Sequence, residues 1–174
     1  MYIKNKSLVI RSAGVEDAIL LCKWWNDGKV MAHAGFPNGL NTTEEIVESD
    51  LKRCTENNSI LIIEDNDMPI GEMSYRIDEE NVAEIGIKIC DFCQQSKGLG
   101  TQLLRMLIEY LFNDMSCEKV ILDTNLNNLH AQHVYEKLGF RKVSVNIDAW
   151  KDQLGNYQSS IDYEMKEEEY KYTF

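Results

Sequence analysis

The sequence predicts a single α/β domain built on a mixed sheet, with antiparallel N-terminal strands, one parallel strand pair and flanking helices. Three observations predict it. Strand-like runs at residues 59–64, 69–77 and 82–90 are separated only by short polar turns, which makes consecutive strands antiparallel. A glycine-bearing turn and an amphipathic run then connect 82–90 to a further strand at 119–124, a strand–helix–strand unit whose right-handed crossover makes those two strands parallel. The 174 residues are 44% apolar, enough for one core. The domain is placed at 1–166, and 167–174 is an acidic C-terminal tail.

In chain order, residues 7–11 form the first strand. Ser12 or a neighbour caps a helix that carries Ile19, Leu20 and residues 22–25, and Asn26-Asp27-Gly28 stops it. Residues 29–40 are irregular. Thr42 with Glu45 forms a capping box for a second helix reaching about Thr55. After the strands 59–64, 69–77 and 82–90, Leu103, Leu104, Leu107, Ile108 and Leu111 mark one face of a helix ending near Phe112. Following strand 119–124, Asn127 or Asn128 caps another helix with Ala131, Val134, Tyr135 and Leu138 on its apolar face, and Gly139 ends it. Residues 141–150 and 157–165 close the chain as a hairpin, and the glutamates at 167–169 begin a solvated, frayed tail.

Lysine and arginine number 18 against 29 acidic residues, a formal charge of −11. Nucleic-acid binding needs a basic footprint and is excluded as a class, whereas an acidic field draws in cationic substrates. Cys90 and Cys93 have CxxC spacing without a second pair, and His130 and His133 stand three apart without a third ligand, so no metal site is expected, nor at His33. The five cysteines read as reduced thiols of a soluble, cytoplasmic protein, and no apolar run reaches membrane-spanning length.

The chemistry centres on Gln95-Ser96-Lys97-Gly98-Leu99-Gly100-Thr101. Glycines at a strand-to-helix turn let a ligand approach the backbone, and the unpaired N–H groups of the following first helical turn suit a phosphate. The G-x-G-x-x-G fingerprint fails because Leu103 stands at its sixth position, and no Gly-Lys-Ser/Thr follows to make a P-loop. A pyrophosphate site beside a strand end remains.

A second motif, Asn128-x-x-Ala131-x-x-x-Tyr135-Glu136-Lys137-x-Gly139-Phe140, lies at a fixed distance from Gln95-x-x-Gly98-x-Gly100. Together they resemble the GCN5-related N-acetyltransferases. The resemblance implies an acetyl-coenzyme A cosubstrate and a splay between the fourth and fifth predicted strands. The pantetheine pairs near Ile87 and Ile89, the pyrophosphate sits around Gln95, Lys97, Gly98, Leu99, Gly100 and Thr101, Asn128 binds the pantetheine arm, and Tyr135 lies near the thioester sulfur. Dimers are common in that superfamily, so a homodimer is an implied assembly.

Direct attack on a thioester requires a neutral amine, which at pH 7 costs about 4 to 5 kcal/mol for a lysine-like nitrogen. A proton acceptor therefore helps. Glu84, on the strand that carries the thioester, is the first candidate, and Glu72 on the neighbouring strand is the second. Tyr135 is the candidate general acid for the departing thiolate.

The run from Lys97 to Leu104, residues 107–114 and Trp24-Trp25 are similar to aminoglycoside 6′-N-acetyltransferases, which take polycationic sugars into an acidic cleft. Some of those enzymes carry an aspartate where Gly86 stands, and Glu84 shares its face. Ile10-Arg11 and Trp25-Asn26-Asp27 also resemble the ribosomal-protein N-terminal and polyamine acetyltransferases. Trp25 and Asp27 are the candidate substrate contacts. A different class, an acyl-coenzyme A sensor without catalysis, shares the same motifs.

Overall fold

The computed structural model describes the backbone of residues 1–173 and the side chains of residues 1–170. The strands are β1 (Tyr2–Asn5), β2 (Leu8–Ser12), β3 (Asn58–Asp65), β4 (Met68–Ile77), β5 (Val82–Ile89), β6 (Lys119–Asn125), β7 (Arg141–Lys151) and β8 (Tyr157–Lys166). The helices are α1 (Ala18–Trp25), α2 (Gly28–Met31), α3 (Glu44–Lys52), α4 (Leu99–Asn113), α5 (Leu129–Leu138) and α6 (Glu167–Thr173). One sheet runs in the order β1-β2-β3-β4-β5-β6-β8-β7, antiparallel except for the parallel pair β5 and β6. The mixed α/β architecture is therefore the one expected from the turns and the crossover.

Alternation along β3 explains the two layers. Leu61 and Ile63 join the larger core, which also takes Leu103, Leu104, Leu107, Ile108 and Leu111 of α4 and Tyr135 and Leu138 of α5. Ile62 points the other way, into Ala18, Leu21 and Trp24 of α1 and Val47 and Leu51 of α3. Helices α1 and α3 therefore cover one face of the sheet, and α4 and α5 cover the other.

Three local expectations are corrected. An additional strand, β1, precedes the first expected one, pairing Tyr2 with Arg11 through Asn5 with Leu8 around a turn in which Lys6 takes φ 56°. Its four residues are largely exposed, so no apolar alternation announced it. Thr43, not Thr42, caps α3, accepting from the Ile46 N–H at 3.4 Å. Residues 167–173 are helical rather than frayed: Tyr170 packs its ring 5.6 Å from that of Phe112 and its hydroxyl donates to Glu109 at 2.9 Å.

The start of α1 is fixed to the sheet by charge. Arg11 on β2 donates to both carboxylate oxygens of Asp17 at 2.7 and 2.8 Å and to Glu64 on β3 at 2.7 Å. Burial alone would raise the Asp17 pKa, but the Arg11 guanidinium and the Gly14 N–H outweigh it and hold the carboxyl below its ordinary value. Asp17 therefore stabilises the fold above the ordinary carboxylate range, and that stability is lost as pH falls through its depressed pKa. Arg11→Ala, which leaves the buried Asp17 charge without its cation, is expected to lower unfolding free energy by about 3 kcal/mol at pH 7. Urea denaturation at pH 7 and pH 3 checks this, with the difference between the two proteins shrinking at the lower pH.

Candidate active site

The site begins where the parallel pair parts. Strands β5 and β6 are in register for three pairs only, Val82 with Lys119, Ala83 with Val120 and Glu84 with Ile121. Beyond them β5 stays with β4 as far as Ile89, and β6 stays with β8 as far as Asn125, so the sheet opens as a fork. The Cys90 N–H donates to the Ile70 carbonyl on the β4 side. By antiparallel alternation Lys88 and Gly86 also turn their backbone groups to β4, while Ile87 and Ile89 turn theirs into the fork. Gln95 reaches back and donates from Nε2 to the Ile89 carbonyl at 2.9 Å, tying the following turn to the end of β5.

That turn delivers the open end of α4. Gly98 is its N-cap with φ 77°, a left-handed conformation in which glycine is unstrained. A Cβ built on Gly98 or on Gly100 meets no atom within 4 Å, so the approach to the first helical turn is clear. Ser96 is left-handed too, at φ 60°, and Lys97 donates from Nζ to Gln94 at 3.0 Å. Leu99 is the first residue of the helix. A 15-residue helix with unblocked N–H groups at its positive end is chemically suited to a diphosphate.

One cleft of about 1160 Å³ runs past these groups and through the fork. Gln95, Gly98, Gly100 and Thr101 line it at the helix start; Gly86, Ile87, Lys88 and Ile89 line it from β5. Asp123, Thr124 and Asn125 line it from β6, and Asn128, Ala131, Val134 and Tyr135 from α5. A separate wall comes from Lys29, Val30, His33, Ala34 and Trp150. Asn128 caps α5, accepting from the Ala131 N–H at 3.2 Å, and its amide donates to Thr124 at 3.3 Å. The Tyr135 ring stands edge-on to Tyr163, with centroids 5.5 Å apart. Burial, with a smaller contribution from the Asp123 charge, pushes its phenol up to about 12. Tyr135 therefore stays protonated, as a proton donor must, across the physiological range.

The carboxylates around the fork differ in how far they are already engaged. Glu72 is buried and accepts both the Trp25 indole N–H and Lys88 Nζ at 2.8 Å. Glu84 is exposed and ion-paired with Arg76 at 2.6 Å. Neither is among the residues lining the large cleft; Glu84 instead lines a smaller hollow of about 340 Å³ on the same strand. Asp162 accepts from Ser144 and Asn146. Asp123 is different, because it lines both cavities and no other described residue donates a hydrogen bond to it. Since Glu84 and Ile121 are in register, Gly86 and Asp123 are the next residues on that face, on either side of the opening. Asp123 is exposed at the opening, but its walls strip part of the water from the carboxylate and raise its pKa, and the neighbouring charges of Asp162 and Glu84 add to it.

Sequence reasoning passed over Asp123. Its signal was a lone carboxylate interrupting the apolar strand 119–124, five residues before the Asn128 cap of α5. The two expected substrate contacts hold architecture: Trp25 anchors Glu72, and Asp27 caps α2 by accepting from the Lys29 N–H at 2.8 Å. The charged lining of the cleft is Lys29, Lys88, Lys137 and Asp123, so the acidity of the chain is not concentrated there. Among the described residues no group of three or more His, Cys, Asp and Glu side chains could hold a metal ion, and no helix is long and apolar enough to cross a membrane.

A family model for the acetyltransferase (GNAT) domain matches residues 7–141, which takes in the fork, the glycine turn and Tyr135. The chain belongs to the GNAT acetyltransferases. This GNAT acetyltransferase is 30% identical over 152 residues to aminoglycoside N(6′)-acetyltransferase type 1 of Klebsiella pneumoniae, a match covering 79% of this chain and 76% of that protein. Its fold superposes on spermidine N-acetyltransferase from Vibrio cholerae in complex with CoA and spermine with a TM-score of 0.85 at 21% identity, covering 95% of this chain and 99% of that one. Ribosomal-protein-S5-alanine acetyltransferase from Vibrio fischeri gives a TM-score of 0.82 at 16% identity, covering 95% and 96%. Shared folds at such identities span different acceptors, so the acceptor has to be argued from this chain's own cleft.

Proposed function

We propose that the protein transfers an acetyl group from acetyl-coenzyme A to a primary amine by direct attack, with Asp123 as proton acceptor and Tyr135 as proton donor. One observation carries the reading: the cleft that starts at Gly98 and Gly100 continues through the fork to Asp123 and Tyr135. The residues present fit acetyl-coenzyme A. The glycine turn clears a path to unpaired helical N–H groups for the diphosphate, and Ile87 offers backbone groups inside the fork for the pantetheine amides. When bound, the cosubstrate supplies an activated acyl carbon and a thiolate leaving group.

Asp123 has the open lone pairs to take a proton from the attacking nitrogen as the new C–N bond forms. Its raised pKa makes it a stronger base than an ordinary aspartate. Tyr135 supplies the proton that the sulfur needs as the C–S bond breaks. Glu72 serves instead to hold Lys88 and Trp25 in place, and Glu84 is committed to Arg76.

The first reading of the acceptor is an aminoglycoside-type amine, supported by the Klebsiella relative and by the net charge of −11. The second is a singly charged amine such as a peptide N-terminus. Lys29 and Lys137 in the cleft, with Lys88 neutralised by Glu72 and Asp123 the acid in its lining, favour it over a polycation. Free thiol release from acetyl-coenzyme A, measured with kanamycin, spermidine and an alanine-led peptide, separates them. Turnover on at least one amine with equimolar acetylated product is expected. Tight coenzyme binding with no turnover on any amine would identify an acyl-coenzyme A sensor instead.

A further inference from the structure

The wall formed by α2 and the 3₁₀ turn Ala32–Ala34 belongs to a loop that is tied down at both ends. Its base is closed by short-range contacts. Asn26 exchanges hydrogen bonds with the Thr42 backbone at 2.9 Å each way, and the Leu40 N–H donates to the Trp25 carbonyl at 2.8 Å. A Cβ on Gly39 would stand 2.2 Å from the Asn26 carbonyl oxygen, so the two limbs of the loop touch through backbone.

The limb that returns to this base is also held by a side chain more than a hundred residues away in the chain. In the turn between β7 and β8, Gln153 accepts at Oε1 from the Asn38 N–H at 2.9 Å and donates from Nε2 to the Gly39 carbonyl at 2.9 Å. Its own N–H donates to the Gly35 carbonyl at 2.8 Å. Trp150 closes over the same place, since a Cβ on Gly35 would lie 2.2 Å from its ring. The turn is itself wired to the fork: Asp152 accepts from Gln158, whose amide oxygen accepts from Asn125 at 2.8 Å, and Asn125 lines the cleft.

We infer that Gln153 is a positioning residue that fixes the loop 28–39 as the acceptor wall and so sets affinity for the amine but not for the coenzyme. This rests on the proposed transferase function and takes the wall of Lys29, His33 and Trp150, which lines the same cleft apart from the glycine turn, as the side from which the amine enters. An amide suits the task, because the loop presents one donor and one acceptor and the Gln153 side chain meets them with separate atoms, Oε1 and Nε2. Without those two bonds the loop keeps its internal bonds, such as the Gly39 N–H on the Phe36 carbonyl, but its ties across to the β7–β8 turn fall to the Gly35 bond and the Trp150 contact, so Lys29 and His33 are held less firmly in the cleft.

The test compares Gln153→Ala and Gln153→Glu with the wild type. The glutamate can still accept from Asn38 but cannot donate to Gly39, which makes it the graded control. Amide hydrogen exchange at residues 35–39 is expected to rise about tenfold or more in Gln153→Ala and less in Gln153→Glu, with exchange at 98–102 unchanged. For whichever of kanamycin, spermidine or the alanine-led peptide is turned over, KM rises about tenfold while the dissociation constant of coenzyme A stays within about twofold. Unchanged exchange and KM would overturn the inference. So would equal losses in coenzyme affinity and melting temperature, which mark a merely structural residue. Absence of turnover in the wild type would strike at the proposed function, and the acceptor role of Gln153 would fall with it.

Discussion

Asp123→Asn is expected to lower kcat by about 10²- to 10⁴-fold, the usual range for removal of a general base, with little change in coenzyme A affinity. Asparagine matches aspartate in shape but cannot take a proton at neutral pH. In the wild type, partial loss of solvent and the charges of Asp162 and Glu84 raise the Asp123 pKa, so the acid limb of kcat/KM falls above the ordinary aspartate value of about 4. Activity present at neutral pH is lost as pH drops through that raised value, because the carboxylate that accepts the proton becomes neutral. In Asp123→Asn that limb disappears. Glu84→Gln provides the contrast. It breaks an exposed pair with Arg76, where an ion pair contributes about 1 kcal/mol or less, and turnover should stay close to wild type. Loss of the limb in Glu84→Gln and its survival in Asp123→Asn would reverse the assignment.

Gly100→Leu is expected to abolish coenzyme binding without harming the fold. Gly98 is a poorer target, because its φ of 77° strains any other residue and confuses binding with folding. Gly100 lies within α4, where leucine is favoured over glycine by about 0.5 to 1 kcal/mol, and a Cβ there meets no protein atom within 4 Å. The leucine occupies the approach that a diphosphate would use. Two lost hydrogen bonds from helical N–H groups to a charged phosphate, at about 2 kcal/mol each, lower affinity roughly a thousandfold. The melting temperature should be unchanged or slightly higher. A stable Gly100→Leu protein that still binds coenzyme A would move the diphosphate elsewhere.

Much of this was legible in the chain because strong local signals agreed with one another. The apolar stripe of α4, the short turns between β3, β4 and β5, and the crossover to β6 specified most of the sheet order. Gly139, which ends α5 at φ 98°, and Asn128, which caps it, were readable because each answers a backbone requirement. Elements that depend on distant partners were not. β1 is a largely exposed strand of four residues that exists because β2 offers it an edge. The helix α6 is preceded by the β8 strand and begins with three glutamates, and its docking comes from the packing of Tyr170 on Phe112 and the Tyr170 hydroxyl on Glu109.

The same division runs through the site. Gly98, Gly100, Asn128 and Tyr135 stand out in local motifs, and the cleft passes all four. Which carboxylate is open to a substrate proton depends instead on what the others are bonded to. Glu72 looked available until Trp25 and Lys88 were found on it, and Glu84 until Arg76 was. Asp123 is singled out by the register of β5 with β6, which sets it across the opening from Gly86, and by its place in both cavities. Gln153 carries no sequence signal at all, since its partners lie at Gly35, Asn38 and Gly39.

The most direct measurement is a calorimetric titration of coenzyme A into the wild type, Asp123→Asn and Gly100→Leu proteins. If the fork and the glycine turn hold the coenzyme while Asp123 acts only on the amine, the wild type and Asp123→Asn bind alike and Gly100→Leu shows no heat of binding. Undiminished binding to Gly100→Leu, or loss of binding in Asp123→Asn, would contradict it.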